Sequence, residues 1–513
     1  MKKILYTTTI AILATLVFTS CEKFLDVKPA GRMIPAQGDV EAFNRLLNNN
    51  QVIDRSFMNN NQGSRLAYLG DNLEISDNQF QFLWHNGLST ATNIESFYAY
   101  IFQQPYNAPE LADAFWNIGL YLPVSRLNVV IEGVKQVRTP DTERLANEVI
   151  AQATVARAWL YFKHALVYGP AYRPGGDNSR RVLPFRTSDN PTAPMEDLST
   201  TQQIFDRVRA EIYEMLPHIP NHVHSNTRFG KVATYALLAE FYLWTREFDK
   251  AADYANRSLE LAASQEAGMN GLFLDMNLFT WHNAAAVATN PDNRDAGIIE
   301  LPGGGRVNNS FHPEIALFRP APTNASNSYP SAELIALFED TDLRLEYYFF
   351  EHNGARGTGY DDGRRIINQQ AKLTRTNGYS FPEILLMRAE ARARSGNPTG
   401  ALADLNYLRA RRHVTGTPPL TITDPDLLIL EVVNERRREL FAFSHKRALE
   451  LKRLSLDVGK PWSKQTITRT VGGRTFTGEV GGEHFIYSIS NQILRHNPQW
   501  GIPLYTGPWG SIR

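Results

Sequence analysis

One cysteine, Cys21, stands in a chain of 513 residues. A single thiol cannot close an internal disulfide, which excludes a cross-linked framework. Net charge is missing too. The 53 lysines and arginines balance 53 aspartates and glutamates, so no global field draws the chain to nucleic acid, and no nucleic-acid partner is expected. Beyond the first twenty residues no apolar stretch reaches membrane-spanning length. Enzyme signatures are absent as well: there is no HExxH, no GxSxG elbow and no phosphate loop, since the GGGR at 303–306 lacks the lysine and following helix. Two carboxylates could still cleave a glycosidic bond, yet nothing singles out a pair among 53 acids. No catalytic residue and no cofactor is therefore expected. The oxygen-rich Asp361-Asp362 after a glycine-rich turn lacks EF-hand spacing and reads as a solvated turn, so no metal site is assigned.

What is present begins with an address. Lys2 and Lys3 precede a short apolar core, Ile10 to Phe18, and Thr19-Ser20 place small residues before the cysteine. The expectation is a lipoprotein signal over 1–20, lipidation of Cys21, a tether over 21–39 and one body over 40–513. Acyl chains on Cys21 would hold the mature chain to a membrane, each buried methylene adding ~0.8 kcal/mol.

The body is organised around Glu383 to Leu454. Small and apolar residues recur at Leu386, Ala389 and Ala393, then at Ala401, Leu405 and Leu408, the period of a buried helical stripe. Between them Gly396 can end one helix, Asn397 can cap the next, and Pro398 suits its first position. A shift of 150 positions lays Ala389-Glu390 on Ala239-Glu240, Ala401 on Ala251 and Asn406 on Asn256 without a gap. Alanines twelve apart at the close-packing points of antiparallel helices fit the tetratricopeptide pattern. The fold class is mainly α: a tetratricopeptide-like helical-repeat scaffold with a loop-rich ligand-binding side and minor β elements.

Taken in order, 48–63 reads as loop, and 71–93 mixes carboxylates, amides and aromatics as a binding loop would. Residues 114–137 read as helix interrupted at Pro123. Residues 143–168 form a long helix, 200–216 another, and 231–260 the first hairpin. Residues 268–330 turn to Gly, Asn and Pro, suited to a second binding loop or a small β element. LEYYFF, from Leu345, reads as strand. The repeats thus concentrate in 114–260 and 331–454, and the variable loops in 48–110 and 268–330. The arginines of NERRREL (434–440) stand between acids, and the expectation is a scaffold role with pairing inside the fold.

A cysteine followed by KFLDVKP, then ARAWLYFKHALVYGP (156–170), GKVATYALLAEFYLWTREFDKAADYA (230–255), PEILLMRAEARARSGNPTGALADLNYLRARR (382–412) and NERRRELFAFSHKRALELKR (434–453) resembles the SusD/RagB family of Bacteroidetes outer-membrane lipoproteins. FSHKR stands where relatives tend to have an EGHRW-like segment. The resemblance implies tetratricopeptide-like helix pairs on one side and variable loops on the other. It also implies a cell-surface lipoprotein, on the outer membrane and facing outward, that binds an oligosaccharide and delivers it to a SusC-like TonB-dependent transporter.

Sugars offer flat C–H faces to aromatic rings and hydroxyls to amides and carboxylates. Trp116, Trp159 and Trp244 lie in helical stripes and read as core; Trp462, Trp500 and Trp509 read as structural. Trp84-His85-Asn86 and Trp281-His282-Asn283 repeat a ring–imidazole–amide triplet in polar loops, making Trp84, Asn86, Trp281 and Asn283 the leading ligand contacts, with Asp71, Asn72 and Asp77 behind them. The function expected is non-catalytic glycan binding for a transporter. A protein-interaction scaffold, a peptide-binding family member and an all-α glycosidase are the alternatives.

Overall fold

The computed structural model describes residues 38–48, 61–81, 91–113, 115–281, 299–301, 305–306, 312–319, 329–351, 363–367, 376–441 and 445–510. Its principal helices are α1 (Val40–Leu46), α2 (Asn61–Leu69), α3 (Ala91–Tyr100), α4 (Leu122–Val137), α5 (Glu143–Tyr168), α6 (Thr201–Met215), α7 (Lys231–Trp244), α8 (Phe248–Gln265), α9 (Phe381–Arg394), α10 (Pro398–Arg412), α11 (Pro425–Glu439) and α12 (His445–Leu454). They pack mostly in sequence: α4 on α5, α5 on α6, α7 on α8, α8 on α9, and α9 on α10 and α11. The body is mainly helical with tetratricopeptide-like pairs, as the alanine spacing requires.

The 150-residue repeat is visible in the helix ends. α7 and α9 begin 150 residues apart, as do α8 and α10. Ala239, Ala251 and Ala255, and their counterparts Ala389 and Ala401, are wholly buried where the helices meet. Small side chains there let two backbones approach. Gly396 takes a left-handed φ of 83°, Asn397 Oδ1 accepts from Gly400 N at 2.9 Å, and Pro398 opens α10. The first hairpin has no glycine at the matching place: Arg246 adopts φ 61° instead. That conformation costs an ordinary residue about 1–2 kcal/mol. Its guanidinium donates to Asp457 Oδ1 at 2.6 Å, an ion pair that holds the turn.

Charge runs through the interior. α12 is buried along its whole length, including Lys446, Arg447, Glu450, Lys452 and Arg453. Arg344 Nη1 reaches Glu435 at 2.7 Å and Glu439 at 2.9 Å, and its Nη2 reaches Asp342 at 2.8 Å. Arg412 bonds Glu439 at 2.9 Å and Glu314 at 2.8 Å. Arg453 grips Glu390 at 2.6 and 2.8 Å, and Lys163 pairs with Glu240, the repeat counterpart of Glu390. The NERRREL arginines are scaffold: Arg436 meets Glu450, Arg437 meets Glu333, and Arg438 meets Glu431 and Glu435. Removing one partner of such a pair leaves an uncompensated buried charge, at a cost of about 3–5 kcal/mol.

Several segments differ from their sequence reading. The loop read over 48–63 gives way to α2 at Asn61, and α3 occupies 91–100, so the region read as variable loop contains two helices that bury Leu66, Leu69, Phe97 and Tyr98. Polar residues masked the stripe on which tertiary packing acts. LEYY of LEYYFF belongs to a helical turn, Arg344–Tyr348, which Asp342 starts by accepting from Arg344 N at 3.0 Å; strand begins only at Phe349. Pro123 does divide its helix: a wide π-type turn over Phe115–Tyr121 leads into α4, where the proline sits in the first turn. The β content is small. Thr280–Trp281, Ile299–Leu301 and Gly305–Arg306 form one sheet. Thr466–Val471 and Arg474–Glu479 form a hairpin whose two-residue turn, Gly472-Gly473, has φ of 58° and 70°, the geometry glycine allows.

The buried charges set an acid limit. Burial pushes His164 down to about 4, and burial with the charge of Arg412 pushes His312 down to about 3, so both are neutral in the fold but protonate near 6.5 when unfolded. For Glu390 and Glu435 burial raises the pKa, but Arg453 and Arg344 respectively, each with a second arginine, leave it below 4.5. In every case the unfolded chain binds more protons, so stability rises with pH and is lost as pH falls. The urea midpoint should begin to drop as pH falls below about 6.5, through the histidines, and drop more steeply below about 4.5, through the carboxylates. A midpoint unchanged down to about pH 4 would contradict this assignment.

Candidate functional site

The residues expected to hold ligand are distributed as follows. Trp84, Asn86 and Asn283 lie outside the described residues. Trp281 is buried, 8% exposed, and packs on Tyr347 with ring centroids 5.4 Å apart while its indole N–H donates to Glu346 at 3.3 Å. Asp71 and Asn72 come together at Arg437, which donates to Asn72 Oδ1 at 3.1 Å and lies 3.6 Å from Asp71. Arg447 grips Asp71 at 2.7 and 2.9 Å, and Lys464 adds a third cation at 2.7 Å. Burial would raise the Asp71 pKa, but Arg447, Arg437 and Lys464 hold it well below the usual carboxylate range. Asp77 Oδ1 accepts from Gly472 N at 2.7 Å and anchors the C-terminal hairpin. Asp71, Asn72 and Trp281 are buried and bonded to other elements of the body, while Asp77 is exposed.

An open cleft of about 570 Å³ lies elsewhere, between the segment 221–230 and the segment 312–316. Asn221, His222, His224, Ser225, Asn226 and Arg228 line one wall, and His312, Pro313 and Ile315 the other. Val232 and Ala233 of α7, Gln265 and Glu266 at the end of α8, and Phe381 complete it. None of Asp71, Asn72, Asp77 or Trp281 is among these residues.

The cleft is held by the backbone around it. Pro220 ends the preceding helical segment, and its carbonyl accepts from Lys231 N at 2.9 Å, closing the 221–230 loop at the start of α7. Ser225 Oγ accepts from Thr227 N at 3.2 Å, and Gly230 N donates to Arg228 O at 3.1 Å. A side chain at Gly230 would press on Val223 at 3.1 Å, so the loop's packing favours glycine there. The second wall is tied to the first: Phe318 N donates to Asn226 O at 2.8 Å, and Arg319 Nη1 to Thr227 O at 2.7 Å. Glu314, beside His312, carries the tie to the core through Arg412.

The groups on offer suit polyhydroxylated ligands. His222 and His224 are exposed, their rings 6.4 Å apart and at 87°. His312 is buried and neutral, and its Nδ1 accepts from Glu314 N at 3.2 Å. Arg228 lies buried at the base, donating to Gln152 Oε1, Asn48 Oδ1 and Asn44 Oδ1 at 2.9, 3.1 and 2.7 Å. Amides and imidazoles can both donate to and accept from hydroxyls. Val232, Ala233, Ile315 and Phe381 supply apolar surface for C–H faces. Sequence reasoning passed over this loop because it had no tryptophan. The signal was there, since NHVHSN carries the same imidazole–amide mixture as the two tryptophan triplets.

Comparison with known proteins bears on the whole chain. Residues 23–243 match the family model described as starch-binding associating with outer membrane, and residues 366–488 match that of the SusD family. A SusD-like protein of Formosa agariphila is 24% identical over 379 residues, 64% of this chain and 69% of that protein. A SusD superfamily structure from Bacteroides thetaiotaomicron aligns with a TM-score of 0.63 at 16% identity, over 90% of this chain and 98% of that one. A SusD-like carbohydrate binding protein from Bacteroides vulgatus aligns with a TM-score of 0.58 at 16% identity, over 91% and 98%. Surface glycan-binding protein A from Bacteroides uniformis aligns with a TM-score of 0.59 at 16% identity, over 89% and 98%. At such identities the solved structures speak for the fold alone, while the family models and the Formosa relative speak for descent. With stretches from both halves matching models of one family, on the helical body that family shares, the chain belongs to the SusD/RagB family.

Proposed function

We propose that this chain is a cell-surface lipoprotein of the outer membrane, anchored through Cys21, that binds an oligosaccharide without cleaving it and passes it to a SusC-like TonB-dependent transporter. The observation that carries the reading is the cleft lined by amides, imidazoles and a guanidinium on a SusD-family body. The names of relatives that bind carbohydrate support the ligand class. Hydrolysis by an acid–base pair needs two carboxylates facing the sugar, and the described lining of the cleft contains one, Glu266. Trp84, Asn86 and Asn283 belong to the proposal as ring and amide contacts. Asp71, Asn72, Asp77 and Trp281 are proposed as supports of the body.

Two measurements test this. In isothermal titration against a panel of oligosaccharides, at least one should bind, and His222→Ala combined with His224→Ala should weaken it about tenfold, the loss of one or two hydrogen bonds. Affinity untouched by that double change would move the ligand elsewhere, and steady release of reducing ends would make the protein a glycosidase. For the anchor and partner, Cys21→Ser should shift the chain from the membrane to the soluble fraction. The wild-type chain should bring down a TonB-dependent barrel. A chain that stays membrane-bound after the change is not anchored by Cys21.

A further inference from the structure

We infer that the cleft selects acidic oligosaccharides, seating a carboxylate or sulfate group of the ligand on Arg228. This rests on the reading of the cleft as the glycan site and names the chemistry of its ligand. Most buried arginines of the interior meet carboxylates: Arg344, Arg412, Arg436, Arg438, Arg447 and Arg453 each have one within 3 Å. Arg469 instead donates to the main-chain carbonyls of Tyr68, Leu69, Gly70 and Tyr100, away from the cleft. Arg228 too lacks a carboxylate at hydrogen-bond distance, and it lines the cleft. It is 6% exposed, and its Nε and both Nη atoms donate to the amide oxygens of Gln152, Asn48 and Asn44, all neutral. Glu41 and Glu148 act on it only from a distance. A guanidinium carries five N–H bonds, so with three committed two Nη hydrogens remain on a residue that lines an open cleft.

The surroundings reinforce the sign. α7 begins at the cleft, and its N-cap is Gly230, which offers no side-chain oxygen to the first turn. Val232 and Ala233 of that turn line the cleft, so the positive end of a 14-residue helix opens onto it. His222 and His224 add N–H donors at the mouth. Against them stands Glu266, exposed on the rim at the end of α8. A neutral sugar would leave the guanidinium without an anion in direct contact, whereas a carboxylate or sulfate would supply one through charge-assisted bonds roughly twice as strong as neutral ones.

The experiment is isothermal titration of the full chain with three oligosaccharides of one length: neutral, uronate-bearing and sulfated. At low salt the acidic forms should bind about tenfold tighter than the neutral one, and added salt should narrow the gap. The two acidic arms show whether planar carboxylate or tetrahedral sulfate fits better. Arg228→Gln should close the gap by weakening the acidic forms about tenfold more than the neutral one. Because Arg228 also joins α1 to α5, a second variant guards against misfolding: Glu266→Gln, on the exposed rim, should widen the preference about twofold. The inference is overturned if the neutral sugar binds as tightly as both acidic ones, or if Glu266→Gln leaves the ratio unchanged. Neutral sugars binding alone would remove this inference and leave the glycan reading standing. Binding of no sugar at all would remove both.

Discussion

Arg412 sits where the scaffold and the cleft meet, and the rest of the structure depends on ion pairs like those it makes. Its guanidinium is fully buried between Glu439 of α11 and Glu314 of the cleft's second wall. Taking such charges out of water is costly, and the cost is offset only where every charge meets a partner in good geometry. That requirement constrains the fold. α9, α10, α11 and α12, the turn at Asp342–Arg344 and the Asp71–Asn72 corner have few arrangements in which all of these charges are satisfied. The carbonyl of Glu314 accepts from Phe381 N at 2.8 Å, and its carboxylate accepts from Leu274 N at 2.9 Å. The charged interior therefore fixes one wall of the cleft directly.

Much of the scaffold was legible because helix pairs write their geometry into spacing. Alanines twelve apart, Gly396, Asn397 and Pro398 each performed the role their chemistry implies, and the shift of 150 residues matched the helix starts. What resisted reading was where tertiary partners overrule local preference. Arg246 stands in a left-handed turn that spacing would give to glycine, because Asp457 holds it there. LEYY turns helical because Arg344 is fixed by acids from distant segments.

The binding side was less legible, and for one reason. Composition reports what a side chain could do, and partners decide what it does. Asp71 has the chemistry of a ligand contact, but three cations face it. Trp281 looked like a stacking platform, and Glu346 and Tyr347 enclose it. Arg228 showed no mark in the sequence to set it apart from the other arginines. Neutral neighbours together with a place in the cleft lining distinguish it, and neighbours 76 to 184 residues away are not visible along a chain.

A charge-paired interior that presents a polar cleft suits the proposed role of binding a ligand without altering it. The body need not change to accept a ligand, so binding can be confined to loop and wall. Hydrogen–deuterium exchange on the full chain, with and without a saturating oligosaccharide that it binds, measures that most directly. The account predicts new protection at 221–233 and 312–316, with the slow amides of α9, α11 and α12 unchanged. Protection that falls outside the cleft, or spreads through those three helices, would contradict it.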